Sequence, residues 1–220
     1  MINIDLIKKI IEKFKAALEE FNYLLKDNKY DEAIVLIDAT VTDLFRLNLN
    51  SFNSLTEEYL MEMLKENNRV DADRCIIISI LLEKQAIILS LQGEEHKSHF
   101  INSKALSMLL EAYLSNSTPE LVDFYSQIPE MYNKIEAYEL PNKISLKLYK
   151  YYEDKFDFCK AEDILFDILD ASSYSETLIN EALAFYERIS EHSDEVLTEA
   201  GLPRNEIATA VNQLNNKLAK

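Results

Sequence analysis

Two histidines lie close together in the middle of the sequence, and histidine is a common metal ligand. His96 and His99 stand three residues apart and follow Glu95. On a helix this spacing puts both imidazoles on one face, where they could share a metal ion. A catalytic zinc site needs three protein ligands, and the third histidine, His192, is far away along the chain. A solvated helix face is the favoured interpretation, and a metal-dependent enzyme using His96 and His99 is an alternative.

The other reactive side chains do not form a recognisable catalytic set. The chain has 39 acidic residues, so carboxylate pairs such as Asp163 and Asp167 arise at helical spacing by chance. Cys75 and Cys159 each sit in an apolar stretch of helical pattern, which predicts two buried, reduced thiols. No serine has the flanking glycines of a nucleophile elbow. The sequence therefore predicts no catalytic residue, no bound metal and no enzyme activity.

Glycine is scarce, with Gly93 and Gly201 the two copies in 220 residues. Loops that cradle phosphate groups need several glycines close together, so a dinucleotide fingerprint and a P-loop are both excluded. Tight β-turns also depend on glycine for positive φ angles. A chain this poor in glycine is expected to form long helices. The sequence predicts an all-α protein of about ten or eleven helices, with no cofactor and no nucleotide.

The formal net charge of −16 restricts the partners that the protein can bind. Nucleic acids and anionic membranes both require an excess of Lys and Arg on one surface, so neither is an expected partner. Charged residues such as Asp5, Lys8 and Glu12 interrupt any signal-peptide core. Glu83 and Lys84 lie within the most apolar segment, which argues against a membrane span. These features predict a cytoplasmic protein that binds a protein or peptide, and the net charge by itself favours basic peptides, basic proteins or cations.

One basic stripe stands out in the acidic C-terminal half. Lys143, Lys147 and Lys150 recur at helical spacing, and Tyr151 follows them. Residues 161–200 hold eleven acids and one base, a local net charge of −10. The stripe and Tyr151 are candidate contacts for an acidic peptide or a carboxylate terminus. Pairing with the neighbouring acidic helices, or a plain solvated face, is the competing interpretation.

Apolar periodicity and capping signals divide the chain into helices. The expected helices of the first half, with the signals that bound them, are Leu6–Lys26, Tyr30–Leu47, a short helix capped by Ser54 with Glu57 and ending near Lys65, a buried helix from Asp71 to Gly93, and Glu94–Leu114. Those of the second half are a helix begun by Thr118-Pro119-Glu120 and split by Pro129, Asn142–Lys155, Phe158–Leu169, Ser175–Glu191, a short turn from Ser193 to Gly201, and a last helix from Pro203. We expect a single domain, 1–220, with a possible subdivision near 140 into parts 1–140 and 141–220.

Two segments share a pattern of polar turn, aromatic residue and small residue. DNKYDEAIVLI covers residues 27–37 and DKFDFCKAEDIL covers residues 154–165, so Tyr30 with Ala33 matches Phe158 with Ala161. A weaker third copy runs from Ala86 through Gly93 to Leu106. These segments resemble the tetratricopeptide repeat, a helix–turn–helix unit of about 34 residues. The resemblance implies a right-handed superhelix of antiparallel helical hairpins.

The C-terminal half also resembles an uncharacterised family from low-GC Gram-positive bacteria. The resemblance rests on YELPNKISLKLYKYYEDKFDFCKAEDILFDIL and AFYERISEHSDEVLTEAGLPRNEI. It implies a bacterial source and no mechanism. Together with the hairpins, it favours a non-enzymatic helical scaffold that binds a peptide or protein partner. A peptide-responsive regulator that acts through another protein is the alternative, and the oligomeric state stays open.

Overall fold

The computed structural model describes residues 4–66 and 68–219. Backbone contacts divide the chain into two compact units, Met1–Glu139 and Leu140–Lys220, here called the N-terminal and C-terminal units. The helix break that the sequence indicates at Leu140-Pro141 lies at this boundary. The all-α prediction is confirmed, because the described residues form twelve α-helices and one small pair of two-residue strands.

The N-terminal unit contains seven of these α-helices. They are α1 (Ile4–Lys26), α2 (Tyr30–Phe45), α3 (Leu49–Ser54), α4 (Glu57–Met63), α5 (Ala72–Leu91), α6 (Glu95–Leu114) and α7 (Ile128–Asn133). Strands β1 (Lys65–Glu66) and β2 (Arg69–Val70) pair antiparallel between α4 and α5, and a 3-10 helix, Val122–Gln127, leads into α7. The C-terminal unit contains α8 (Asn142–Asp154), α9 (Phe158–Ala171), α10 (Glu176–Ile189), α11 (Asp194–Glu199) and α12 (Arg204–Leu218).

Three hairpins, α1–α2, α5–α6 and α8–α9, share one connector. Each connector has three residues, and the middle residue has left-handed backbone: Asn28 (φ 56°), Gly93 (φ 80°) and Phe156 (φ 59°). The next backbone N–H donates to the carbonyl five residues earlier in each case, at 2.9, 2.8 and 3.0 Å. This hydrogen bond satisfies a carbonyl that the helix end leaves free, and it reverses the chain sharply.

A small residue lies four positions into the second helix of each hairpin. Ala33 and Ala161 are completely buried, and the Ser98 hydroxyl donates to the Ala86 carbonyl at 2.8 Å. Small side chains at these positions let the two helix backbones approach closely. The three segments that share this pattern in the sequence therefore lie in equivalent hairpins.

Helix α5 is buried on most sides, as the sequence predicts. Ile76, Ile77 and Ile78 are fully buried although they point in different directions around the helix. The buried carboxylate of Glu83 accepts a hydrogen bond from Lys134 Nζ at 2.7 Å, so its charge is paired inside the unit. No helix among the described residues is both long enough and apolar enough to cross a membrane.

The predicted Ser54 cap is wrong by two residues. Thr56 is the N-cap of α4, and its hydroxyl accepts the Tyr59 N–H at 3.3 Å. Ser54 is instead the last residue of α3, a helix that the sequence reading missed, and its hydroxyl donates to the Asn50 carbonyl. A serine hydroxyl can donate to the carbonyl four residues earlier, or it can accept an N–H at the start of the next helix. The sequence pattern alone did not distinguish these two roles.

No helix begins at Thr118-Pro119-Glu120, which is a second correction. The backbone N–H groups of Glu120 and Leu121 donate to the Asp73 carboxylate on α5, at 3.2 and 2.9 Å. The Asp73 carboxylate therefore accepts from backbone N–H groups of the kind that the first turn of a helix leaves without a partner. The predicted split at Pro129 is confirmed, because the 3-10 helix gives way to α7 there and Pro129 lies in the first turn of α7.

Cys75 is buried as predicted, but Cys159 is exposed. Phe158 takes the buried position at the start of α9, and the next residue of a helix points about 100° away from it. Partial desolvation raises the pKa of the Cys159 thiol, and nearby carboxylates, chiefly Asp163, raise it further. The thiol therefore stays protonated at neutral pH.

Candidate functional site

The predicted basic stripe lies on α8. Lys143 and Lys150 are exposed and Lys147 is half-buried. The Lys150 ammonium lies 3.9 Å from Glu181 on α10, a long ion pair at the surface. The stripe therefore faces an acidic helix in part, and its role in binding a partner stays a prediction.

Tyr151 is not displayed beside these lysines. Only 5% of its surface is exposed, and its ring packs edge-on against Tyr152 with centroids 5.2 Å apart. Leu148 is fully buried, and a residue three positions further along a helix lies on the same face. The expected aromatic contact for a partner is therefore part of the interior in this structure.

Polar side chains tie α8 to α10 beside the stripe. Arg188 holds Glu153 in two hydrogen bonds, at 2.7 Å from Nε and 3.0 Å from Nη2. The hydroxyl of the buried Tyr149 donates to Glu181. Burial, and then this carboxylate, raise the pKa of Tyr149, so the hydroxyl remains a donor. Glu153 on α8 and Glu181 on α10 are thus both hydrogen-bonded within the unit.

The histidine pair gains no further metal ligand. The His99 ring packs at a tilt against Tyr138 with ring centroids 4.2 Å apart, in a cavity of about 320 Å³ that Asn102 and Lys134 also line. Burial, and then the charge of His96, lower the pKa of His99, which keeps its imidazole neutral. Across residues 4–66 and 68–219, no group of three His, Cys, Asp or Glu side chains is placed to hold a metal ion.

A different cluster of charges surrounds a cleft of about 610 Å³ in the N-terminal unit, here called the basic cleft. Its apolar floor comes from α1, α2 and α5, and includes Ile11 and Ile77, both buried. Five cationic side chains line it: Lys9, Lys13, Arg46, Lys65 and Arg74. Three carboxylates also line it, so the described residues of the lining carry five positive and three negative charges, a net of +2 in a chain of net −16.

Each of the three carboxylates already has a partner within the unit. Asp43 lies 2.6 Å from Lys13 Nζ, and this contact, aided by Arg46, holds the pKa of Asp43 below its ordinary value. Asp71 is the N-cap of α5, and its carboxylate accepts the backbone N–H of Arg74. Asp73 accepts two backbone N–H groups in the loop before the 3-10 helix. The three carboxylates of the lining therefore make contacts that stabilise the N-terminal unit.

Two of the cations are not held by a close ion pair to a described carboxylate, although the charge of Arg46 acts on Asp43 from a longer distance. Within the described part of the chain, neither Lys9 nor Arg46 forms an ion pair, and both are exposed at the cleft. Arg46 is the C-cap of α2, where its own N–H donates to the Thr42 carbonyl at 2.9 Å. Arg74 lies over the Phe45 ring, 5.4 Å from its centroid, which holds the guanidinium at the cleft wall. An anion with an apolar body could contact both cationic and apolar side chains here.

The sequence reasoning missed this cleft. Lys9 and Lys13, one helical turn apart on α1, are the single local signal. The other cations come from the C-cap of α2, from β1 and from α5, so only the packing of these elements brings the charges together.

A family model described as a family of unknown function (DUF6483) matches residues 1–219. The chain belongs to this family. No curated protein and no solved structure matches it. The predicted membership of an uncharacterised family is confirmed, although the match covers the DUF6483 chain from end to end and not just its C-terminal half. In this DUF6483 protein the basic cleft is the feature that best supports a functional argument.

Proposed function

We propose that this DUF6483 protein is a non-catalytic helical binding protein whose ligand is an acidic peptide segment of a partner. The basic cleft is the proposed binding site. The observation that carries the proposal is the exposure of two cations, Lys9 and Arg46, at the rim of an apolar floor in a strongly acidic chain, neither of them in a close ion pair with a described residue. The repeated hairpins support it as well, because stacked hairpins resembling tetratricopeptide repeats commonly present grooves to peptides.

Local and global charge act together in this proposal. The net charge of −16 opposes the approach of long polyanions such as nucleic acids. Over distances longer than about 8 Å these charges are screened at physiological salt, so a short acidic segment responds mainly to the cations nearest to it. Arg46 is suited to this task because a guanidinium can hold a carboxylate in two parallel hydrogen bonds.

Apolar side chains on the ligand would add binding energy beside the charged contact. The floor of the basic cleft is built from isoleucine and leucine side chains, among them Ile7, Ile10 and Leu44, which are partly exposed. Burying such surface contributes about 25 cal/mol per Å² of apolar area before the costs of association are subtracted. A ligand that combines carboxylates with aliphatic side chains therefore fits this site better than a purely charged one.

The test measures fluorescence anisotropy of a labelled eight-residue peptide built from alternating Leu and Glu pairs, with a Leu and Lys peptide as the charge control. We expect full-length protein to bind the acidic probe at least tenfold more tightly, and rising salt to weaken that binding. Arg46→Glu and Lys9→Glu should each weaken it about tenfold or more, since a hydrogen bond to a charged group contributes about 1.5–3 kcal/mol.

The basic stripe supplies the matched control. A triple variant, Lys143→Glu with Lys147→Glu and Lys150→Glu, changes the net charge more than either cleft variant while leaving the N-terminal unit intact. The proposal expects it to bind the acidic probe nearly as well as the wild type does. Loss of binding in the triple variant alone would move the site to α8 and refute the assignment to the basic cleft.

A further inference from the structure

A shallow, open depression of about 840 Å³ lies next to the basic cleft, between the end of α2 and helices α3 and α4. Arg46 lines both the basic cleft and this depression, so its side chain stands at the border between them. The two surfaces are therefore neighbours within the N-terminal unit, and a ligand at Arg46 has access to either one.

The chemistry of the depression differs from that of the cleft. Among the described residues of its lining, Arg46 alone is charged, and the others are apolar or uncharged polar side chains, including Leu47, Leu55 and Met63. Tyr59 also lines it, and 58% of its surface is exposed. An exposed aromatic ring beside a methionine is a surface that accepts apolar side chains of varied shape.

We infer that the partner segment spans both surfaces, with an acidic residue paired to Arg46 between two apolar anchors. One anchor lies on the floor of the basic cleft, and the other packs against Tyr59 in the depression. This inference rests on the proposed function and extends it, because it specifies the order of chemical types along the ligand. Charge complementarity selects this occupant, since Arg46 is the charge that both surfaces share.

The backbone at Arg46 helps to fix the position of this central charge. Arg46 has left-handed backbone (φ 62°), and it is held by its hydrogen bond to Thr42 at the end of α2. Glycine adopts this conformation without the steric penalty that arginine pays. Six other non-glycine residues in the described chain share the left-handed conformation, so the backbone alone assigns no function. Arg46 differs from them in lining the two surfaces at once.

The experiment compares a short probe with two long probes on the full-length protein. The short probe is the eight-residue Leu and Glu peptide, and each long probe adds a Ser-Gly-Phe-Leu extension at one end. We expect one of the long probes to bind about tenfold more tightly than the short one. Tyr59→Ala should remove most of that gain and leave affinity for the short probe unchanged. Arg46→Ala should weaken the binding of both.

Tyr23→Ala is the matched control, because Tyr23 is 71% exposed on α1 and lines neither surface. It should leave the affinity of every probe unchanged. Equal affinities for short and long probes, or a long probe that Tyr59→Ala does not weaken, would overturn the inference while the proposed function stands. Failure of the wild type to bind any acidic probe would instead overturn the proposed function, and the inference with it. Circular dichroism melts confirm that each variant is folded.

Discussion

Replacing Lys104 with methionine should destabilise the N-terminal unit more than any surface substitution does. The Lys104 side chain comes from α6, and only 8% of the residue is exposed. Its ammonium donates to the carbonyls of Phe52 at 2.6 Å, Asn53 at 3.1 Å and Leu55 at 2.5 Å. These carbonyls lie at the end of α3, where no backbone donor of the helix reaches them. A lysine 52 residues away from Phe52 thus caps α3.

The size of the expected loss in stability follows from the three carbonyl groups that would lose their hydrogen-bond donor. Methionine is also unbranched and is one heavy atom shorter than lysine, so it keeps most of the packing but donates no hydrogen bond. Each stranded carbonyl costs about 1–3 kcal/mol, while removal of a buried charge returns part of that cost. We expect a net loss of about 3 kcal/mol, a large share of the 5–15 kcal/mol that stabilises a typical domain.

Urea unfolding followed by circular dichroism measures this loss. With a slope of about 1–3 kcal/mol per molar urea, the midpoint of the affected transition should fall by about 1–3 M. Lys97→Met is the control, because it makes the same substitution on the same helix at an exposed residue paired with Glu94. It should change stability by less than about 0.5 kcal/mol. If Lys104→Met shifts the midpoint no further than the control does, the capping argument is wrong.

Three further predictions follow from backbone strain and from an unpaired hydroxyl. Arg46→Gly should raise stability by about 1 kcal/mol and weaken acidic-probe binding at least fivefold. The control Ser173→Gly (φ 53°, exposed) should raise stability without changing binding. Retained affinity in Arg46→Gly would contradict the assignment of the binding site to the basic cleft. Tyr125→Phe should preserve or raise stability, because that buried hydroxyl has no partner among the described residues, and burial raises the pKa of Tyr125 to about 12. The unfolded chain releases this proton near pH 10 and the folded chain keeps it, so wild-type stability should fall between pH 10 and 12 more steeply than that of Tyr125→Phe in urea titrations. Gly201→Ala should lower the melting temperature, because φ is +77° and a new Cβ would lie 3.1 Å from Cys159 Cβ; an unchanged melting temperature would show that this close approach relaxes freely.

Most helix positions were predictable from local signals. The buried helix capped by Asp71, the short helix capped by Ser193 and the split at Pro129 all appear where the pattern placed them. Helix formation depends on residues within one or two turns, so periodicity and caps carry enough information. The misplaced caps at Ser54 and Thr118 have different causes. The Ser54 hydroxyl had more than one backbone partner available, whereas after Thr118 the backbone N–H groups are taken by the distant Asp73 carboxylate.

The sequence by itself determined that this DUF6483 protein is helical and that its hairpins turn at Asn28, Gly93 and Phe156. Those features are local, because a helix and its connector close hydrogen bonds between residues at most five positions apart. Only the tertiary structure decided which cationic side chains lie together at the basic cleft. Lys9 on α1, Arg46 at the end of α2 and residues of α5 meet at one apolar floor because three helices pack together. Side chains on separate helices come into contact only when the helices pack, and residue spacing along the chain does not show which of them will meet.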